Sequence, residues 1–143
     1  MRLISIVFVL ASLAACGPQL SVVVPPAEDG CATLHGDPGI TARLYFGRTM
    51  KDGGRIDDAA WRTFLAERVT PRLPSGFSVF EGYGQWQQRS GGRIIQEPST
   101  VIEVAAPRNA ATIWKLEEIR ADYRQMFNQE SVGMVISESC ASF

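Results

Sequence analysis

The side chains best suited to chemistry in this chain stand at the ends of its patterned segments. Arg72 follows Thr70-Pro71, Gln85 and Trp86 close one aromatic-rich run, Glu97 precedes another run, and Tyr123 lies on a helical stretch. A guanidinium, an amide, an indole, a carboxylate and a phenol converging on one cleft would hold a small polar ligand. The indole would give apolar area and the others orientation. Gln129 and Glu130 add polar groups in the joint before the last apolar run. The same residues serve equally well as helix terminators, caps and ion-pair partners, since side chains at element ends commonly satisfy backbone groups. Spacing alone leaves both readings open.

Other chemistries find no pattern to support them. His35 is the only histidine and precedes the regularly patterned region, so a histidine-based triad would need a loop to carry it in. No His/Cys/Asp/Glu set has zinc spacing and no EF-hand loop occurs, so no metal site is assigned and no cofactor is expected. Gly53-Gly54 and Gly91-Gly92 lack the residues that complete a phosphate loop and read as turns. No serine occupies a Gly-x-Ser-x-Gly elbow, and no catalytic residue is assigned. Fourteen Lys+Arg against fifteen Asp+Glu give a formal net charge of −1, which offers nucleic acid no surplus of cations. The reading that remains is a non-catalytic binding or protein-interaction module. The alternative is a small-ligand binder or cofactor-independent enzyme around Arg72, Gln85, Trp86, Glu97 and Tyr123.

The elements that must position these residues follow from periodicity. Ala42, Leu44 and Phe46 alternate with Arg43 and Tyr45, as in a half-buried strand. Asp52-Gly53-Gly54 turns the chain, and Asp57 caps a helix carrying Trp61, Phe64, Leu65 and Val69 until Pro71. Phe77 to Trp86 reads as a strand, with Gly82 and Gly84 predicting a bulge or strong twist. Ser90-Gly91-Gly92 turns back into Ile94-Ile95 and the strand Thr100 to Ala105, joined across a bulge near Pro98. Asn109 caps a second helix whose Ile113, Leu116, Ile119, Tyr123, Met126 and Phe127 share a face. Val132 to Ile136 is a last, β-branched strand. This order predicts an α+β, ferredoxin-like βαββαβ domain: a four-stranded antiparallel sheet with two helices on one face. Arg43 and Tyr45 then point to the open face, where Phe80 and Trp86 join them. An aromatic open face is a contact surface for a homodimer or an envelope protein partner.

The first residues read as an address rather than as fold. Arg2, the apolar run Leu3 to Leu13 and the small Ala14-Ala15 have the layout of a secretory signal, too short to span a bilayer stably. Leu13-Ala14-Ala15-Cys16 resembles the lipobox of bacterial lipoproteins, which implies a lipid on the Cys16 sulfur and cleavage before it. Residues 1–15 are then a signal peptide, residues 16–39 a lipidated Pro- and Gly-rich tether, and residues 40–143 one domain held to a membrane through its N-terminal lipid. Gly17, where an Asp would favour inner-membrane retention, directs the expected location to the outer membrane, facing the periplasm. Lipidation leaves Cys31 and Cys140 as a pair in an oxidising compartment, where a disulfide between them is expected and two buried thiols are the alternative.

A family likeness lies on these same residues. Leu44-Tyr45-Phe46-Gly47-Arg48, Asp52-Gly53-Gly54, Trp61 with Phe64-Leu65, Val69-Thr70-Pro71-Arg72, Gly84-Gln85-Trp86 and Gln129-Glu130-Ser131-Val132 resemble domain of unknown function family 3574, a family of uncharacterised bacterial lipoproteins. The likeness runs from about residue 42 to Phe143. It implies lipoprotein export and a compact α+β domain, and brings no activity or catalytic residue with it. Lys51, where the family pattern has a proline before the Asp-Gly-Gly turn, is a small departure.

Overall fold

The computed structural model of the chain describes residues 27–87 and 91–143. The signal segment, Cys16, the tether up to residue 26, and Ser90 lie outside the described residues. The elements run α1 (Ala27–Thr33), β1 (Asp37–Gly47), α2 (Asp58–Phe64) with a π-helical continuation Leu65–Val69, β2 (Ser78–Gln87), β3 (Ile94–Ala106), α3 (Ala110–Met126) and β4 (Gly133–Ala141). All pairings are antiparallel and the strand order is β2-β3-β1-β4. This is the ferredoxin-like arrangement, built from two βαβ halves that interleave in one sheet.

The alternation in β1 decides which face is which. Ile40, Ala42, Leu44 and Phe46 are buried against α2 and α3, while Arg43 and Tyr45 stay exposed on the other side. Both expected caps form: Asp57 accepts from the Ala60 N–H at 2.8 Å, and Asn109 from the Thr112 N–H at 2.8 Å. Each satisfies a backbone donor that the first helical turn leaves free. Trp61, Phe64, Leu116, Ile119 and Tyr123 fill the space beneath the sheet. Phe46 sits among them edge-to-face, its ring centroid 4.7 Å from Tyr123 and 5.3 Å from Trp61. Met126, expected on that face, is largely exposed, because α3 ends there.

Three expectations change. The sheet has no bulge at Gly82, Gly84 or Pro98: β2 and β3 pair without a break from Ser78↔Glu103 to Gln87↔Ile94. Pro98 is tolerated because it stands where the β1 ladder stops. Its carbonyl accepts from the Arg48 N–H, and the Arg48 carbonyl takes the Ile56 N–H in place of the donor proline lacks. The last strand is longer than Val132 to Ile136, reaching Ala141. Finally, the described part of the stretch read as tether is structured. Residues 27–33 form α1, and Asp37, Pro38 and Gly39 pair with Ala141, Cys140 and Ser139. The cause is covalent as well as hydrogen-bonded: Cys31 is joined to Cys140, with Cα atoms 5.4 Å apart, which fastens α1 to the edge strand β4. Among the described residues no helix is long and apolar enough to cross a membrane.

Candidate functional site

Register places the functional side chains of the open face. Moving along the strands, one cross-sheet row is Phe80–Val101–Tyr45–Gly133, and the next is Gly82–Ser99–Gly47. Beyond them come Gly84 opposite Glu97, then Trp86 opposite Ile95. Small residues therefore floor a trough, with aromatic rows on either side. The trough opens into a cleft of about 1250 Å³ whose lining includes Tyr45, Gly47, Gly84, Trp86, Ile95 and Glu97.

Its rim comes from two loops that grip each other. After β1 the chain makes a narrow hairpin, bridging Thr49 to Arg55, and Asp52 Oδ1 accepts from the Gly54 N–H at 2.9 Å. Gly53 takes a φ of 84°, which its lack of a Cβ permits. The joint between α3 and β4 meets this hairpin. Gln129 Nε2 donates to the Thr49 carbonyl at 2.8 Å, and Lys51 Nζ lies 3.3 Å from Glu130 Oε1.

Glu97 is the polar centre of the cleft. Its Oε1 accepts from Trp86 Nε1 at 3.2 Å and its Oε2 from the Thr49 N–H at 3.3 Å. It lies across Gly47 so closely that a Cβ there would stand 2.9 Å from Oε2. A carboxylate with two oxygens has lone pairs beyond these two bonds, so it can accept more from a ligand. On the opposite side of the sheet, Tyr123 donates its hydroxyl to the Gly47 carbonyl at 2.7 Å. Gly47 is thus fixed from both sides.

Of the residues singled out in the sequence, Tyr45, Gln85, Trp86, Glu97, Gln129 and Glu130 line the cleft. Arg72 and Tyr123 do not. Arg72 clamps the end of the α2 continuation to α3, with Nε 3.1 Å from Glu118 Oε2 and Nη2 3.0 Å from Asp122 Oδ2. Tyr123 is in the core, where burial above all raises its hydroxyl pKa; nearby Glu97 adds to this and Arg48 opposes it. The five-residue convergence on one pocket therefore reduces to Trp86 and Glu97, since Gln85 borders the cleft but its side chain alternates to the other face of the sheet and accepts from Gln96 Nε2 at 2.7 Å. His35 lies at the other end of the sheet, following α1, and its carbonyl accepts from Ser142. No cluster of three metal-ligating side chains occurs among the described residues.

One further residue of consequence, Arg48, belongs to no catalytic or ligand-binding motif of the sequence. Arg48 is only 2% exposed. Its Nε and Nη2 donate to the Ile56 carbonyl at 3.1 and 3.0 Å, its Nη1 to Thr100 Oγ1 at 3.1 Å, and its Nη2 also to Asp58 Oδ1 at 3.0 Å. Its guanidinium lies 5.1 Å from the centre of the Trp61 ring. It thereby anchors the end of β1, the rim hairpin and the start of α2 to one another. The signal was present in the alternation, since Arg48 has the same parity as the buried Leu44 and Phe46.

The chain's relationships agree with this architecture. The family described as protein of unknown function (DUF3574) matches residues 41–143. No curated protein matches the sequence. Among solved structures, a phage SAM lyase in complex with S-methyl-5′-thioadenosine superposes with a TM-score of 0.58 at 21% identity, covering 70% of this chain and 81% of that one. A phage SAM lyase in its apo state gives 0.55 at 18% identity, covering 73% and 86%. Likeness at this identity is one of fold.

Proposed function

We propose, from the premise that this chain belongs to the DUF3574 family, that it is an exported, lipid-anchored envelope protein whose domain is a non-catalytic binding module. The observation that carries the binding reading is the Glu97 carboxylate, recessed over a glycine floor between Tyr45 and Trp86 on a face that no described element covers. Such a site accepts hydrogen bonds from a ligand's amine, amide or hydroxyl groups while the aromatic rings take its apolar body. Ser99 and Ser131 line the cleft, but His35 is at the far end of the sheet, and this supports binding rather than nucleophilic chemistry. The disulfide supports export, because such bonds persist in oxidising compartments. The lipobox-like Leu13-Ala14-Ala15-Cys16 supports the anchor, with Gly17 favouring the outer membrane and its periplasmic side.

One named ligand class follows from the fold likeness. The phage enzyme's structure holds a nucleoside thioether. Here a ribose diol would suit Glu97 and an adenine would suit Trp86, so S-methyl-5′-thioadenosine is the first probe to use.

The test is a fluorescence titration of the full chain in mild detergent with S-methyl-5′-thioadenosine, then with nucleosides, polyamines and amino acids. A saturable change is expected, absent in Trp86→Phe and weakened at least tenfold in Gly47→Ala, whose new methyl must push Glu97 aside. A panel that leaves the native signal flat, or one that Trp86→Phe answers unchanged, refutes the cleft. The anchor is tested separately by labelling cells with radioactive palmitate, where Cys16→Ser should lose all label. A native chain that fails to label overturns that part alone.

A further inference from the structure

The edge of the sheet formed by β2 carries a second inference, independent of the cleft. Natural edge strands are blunted by lysine, proline, bulges or cover, since their free N–H and C=O groups invite another strand. Among the described residues β2 has no lysine, proline, bulge or covering element, and its one charge, Glu81, is turned toward Arg48 and Thr100. Its ten residues, Ser78–Gln87, include no Lys, Arg or Pro, and their pairing with β3 is unbroken. It is also exposed on both faces: Phe80 by 51%, Tyr83 by 68% and Trp86 by 46%.

The groups that edge presents can be assigned. The Pro98 carbonyl points to β1, where it accepts from Arg48. In an antiparallel strand the N–H and C=O of one residue point the same way, so Pro98 and its partner Tyr83 form a pair that is not hydrogen-bonded. Tyr83 therefore turns its own N–H and C=O to the free edge. Val79, Glu81, Gln85 and Gln87, two residues apart in turn, do the same.

We infer that β2 pairs antiparallel with β2 of a second copy, about a twofold axis through Tyr83, to make one continuous sheet across the dimer. This register sets Tyr83 against Tyr83, Glu81 against Gln85 and Val79 against Gln87, all with ladder groups facing each other. On the open face it sets Phe80 against Trp86 and Gly82 against Gly84. Two features favour a second copy over a foreign strand. The strand is complementary to itself when reversed, aromatic meeting aromatic and glycine meeting glycine. Its one charged residue, Glu81, meets an amide rather than its own like charge. Each copy's Phe80 then stands beside the other's Trp86, extending the apolar wall of the cleft.

Cross-linking of the purified full chain in mild detergent tests the pairing. Hydrogen-bonded antiparallel partners have Cα atoms about 5.5 Å apart, within disulfide range. Tyr83→Cys under copper-phenanthroline oxidation should migrate mostly at twice the monomer mass without reductant. Gln85→Cys, with its own copy roughly 13 Å away, should not, and neither should the unsubstituted chain. A monomeric Tyr83→Cys, or equal cross-linking of Gln85→Cys, overturns the inference. Tyr83→Pro gives a second reading, since it removes a donor only from the free edge and spares the β2–β3 ladder. It should sediment as a monomer with unchanged far-ultraviolet circular dichroism, where the native chain sediments as a dimer. An equal sedimentation coefficient for both refutes the pairing.

Discussion

Replacing Arg48 by methionine should cost this domain a large part of its stability, although the substitution keeps much of the side chain's length and removes only its charge and donors. The carboxylates near Arg48 are not what matters. Asp58 and Glu81 are 77% and 72% exposed, so water solvates them when the guanidinium leaves. The loss falls on the buried acceptors. The Ile56 carbonyl loses both its donors from Arg48, and Thr100, fully buried, loses the Nη1 bond. A buried group left without a partner costs roughly 1–3 kcal/mol, and a bond to a charged donor contributes about 1.5–3 kcal/mol. The apolar replacement regains part of this by removing a desolvated charge, which in other buried networks has been enough to offset the loss. With a carbonyl orphaned here, we expect a net loss of about 2–4 kcal/mol, against a total of roughly 5–15 kcal/mol for a domain of this kind. In urea, with a slope near 1–1.5 kcal/mol/M, the unfolding midpoint should fall by roughly 1.3–4 M. Arg48→Lys should fall by less, its single ammonium reaching one or two of the acceptors. A midpoint within about 0.5 M of the native one for Arg48→Met would refute the argument that the Ile56 and Thr100 acceptors depend on this guanidinium.

Two further outcomes follow from the packing. Cys31 and Cys140 are 109 positions apart, so chain-entropy reasoning assigns their bond about 4–5 kcal/mol. Non-reduced peptide mapping should recover the pair as one species, and Cys31→Ser with Cys140→Ser should unfold at a clearly lower urea concentration; alkylated free thiols at both sites in the native chain would defeat this. Tyr123→Phe should cost about 1–2 kcal/mol at neutral pH, as the Gly47 carbonyl loses its donor. Burial raises the Tyr123 pKa above the ordinary phenol value of 10.0, so its contribution is complete below that value and is lost as pH climbs through the raised folded value. The native chain should therefore weaken more steeply than Tyr123→Phe above about pH 10, and parallel pH profiles of the urea midpoint would count against it.

The fold was legible because its periods are clean. Residues 42, 44 and 46 alternate, the apolar positions from Leu116 to Tyr123 follow the helix, and Asp57 and Asn109 mark helix starts. What misled was local chemistry read without its partners. Pro98 and two glycines suggested a bulge, yet the register runs unbroken, because the donor proline lacks is one that β1 no longer needs. The Pro- and Gly-rich stretch up to residue 39 reads as tether, yet β1 begins at Asp37 and pairs only with β4 at that point, where Pro38 removes no bond on the unpaired side.

The candidate site divides along the same line. Trp86 and Glu97 are legible together because they stand near the same end of adjacent strands, a relation that strand order alone predicts, whereas Gln85 shares that end but alternates to the other face. Arg72 and Tyr123 were added for their chemistry, against a periodicity that already placed Tyr123 with Leu116 and Ile119 on the buried face of α3. Periodicity alone assigns Tyr123 to the core and Arg48 to the buried face of β1. The two residues then acquire connected roles. Tyr123 holds the carbonyl of Gly47 from below, Arg48 fixes the next residue of the chain, and the space above Gly47 is left to the Glu97 carboxylate. The cleft's polar centre is therefore placed by side chains on the opposite face of the sheet, which a ligand in the cleft need not touch.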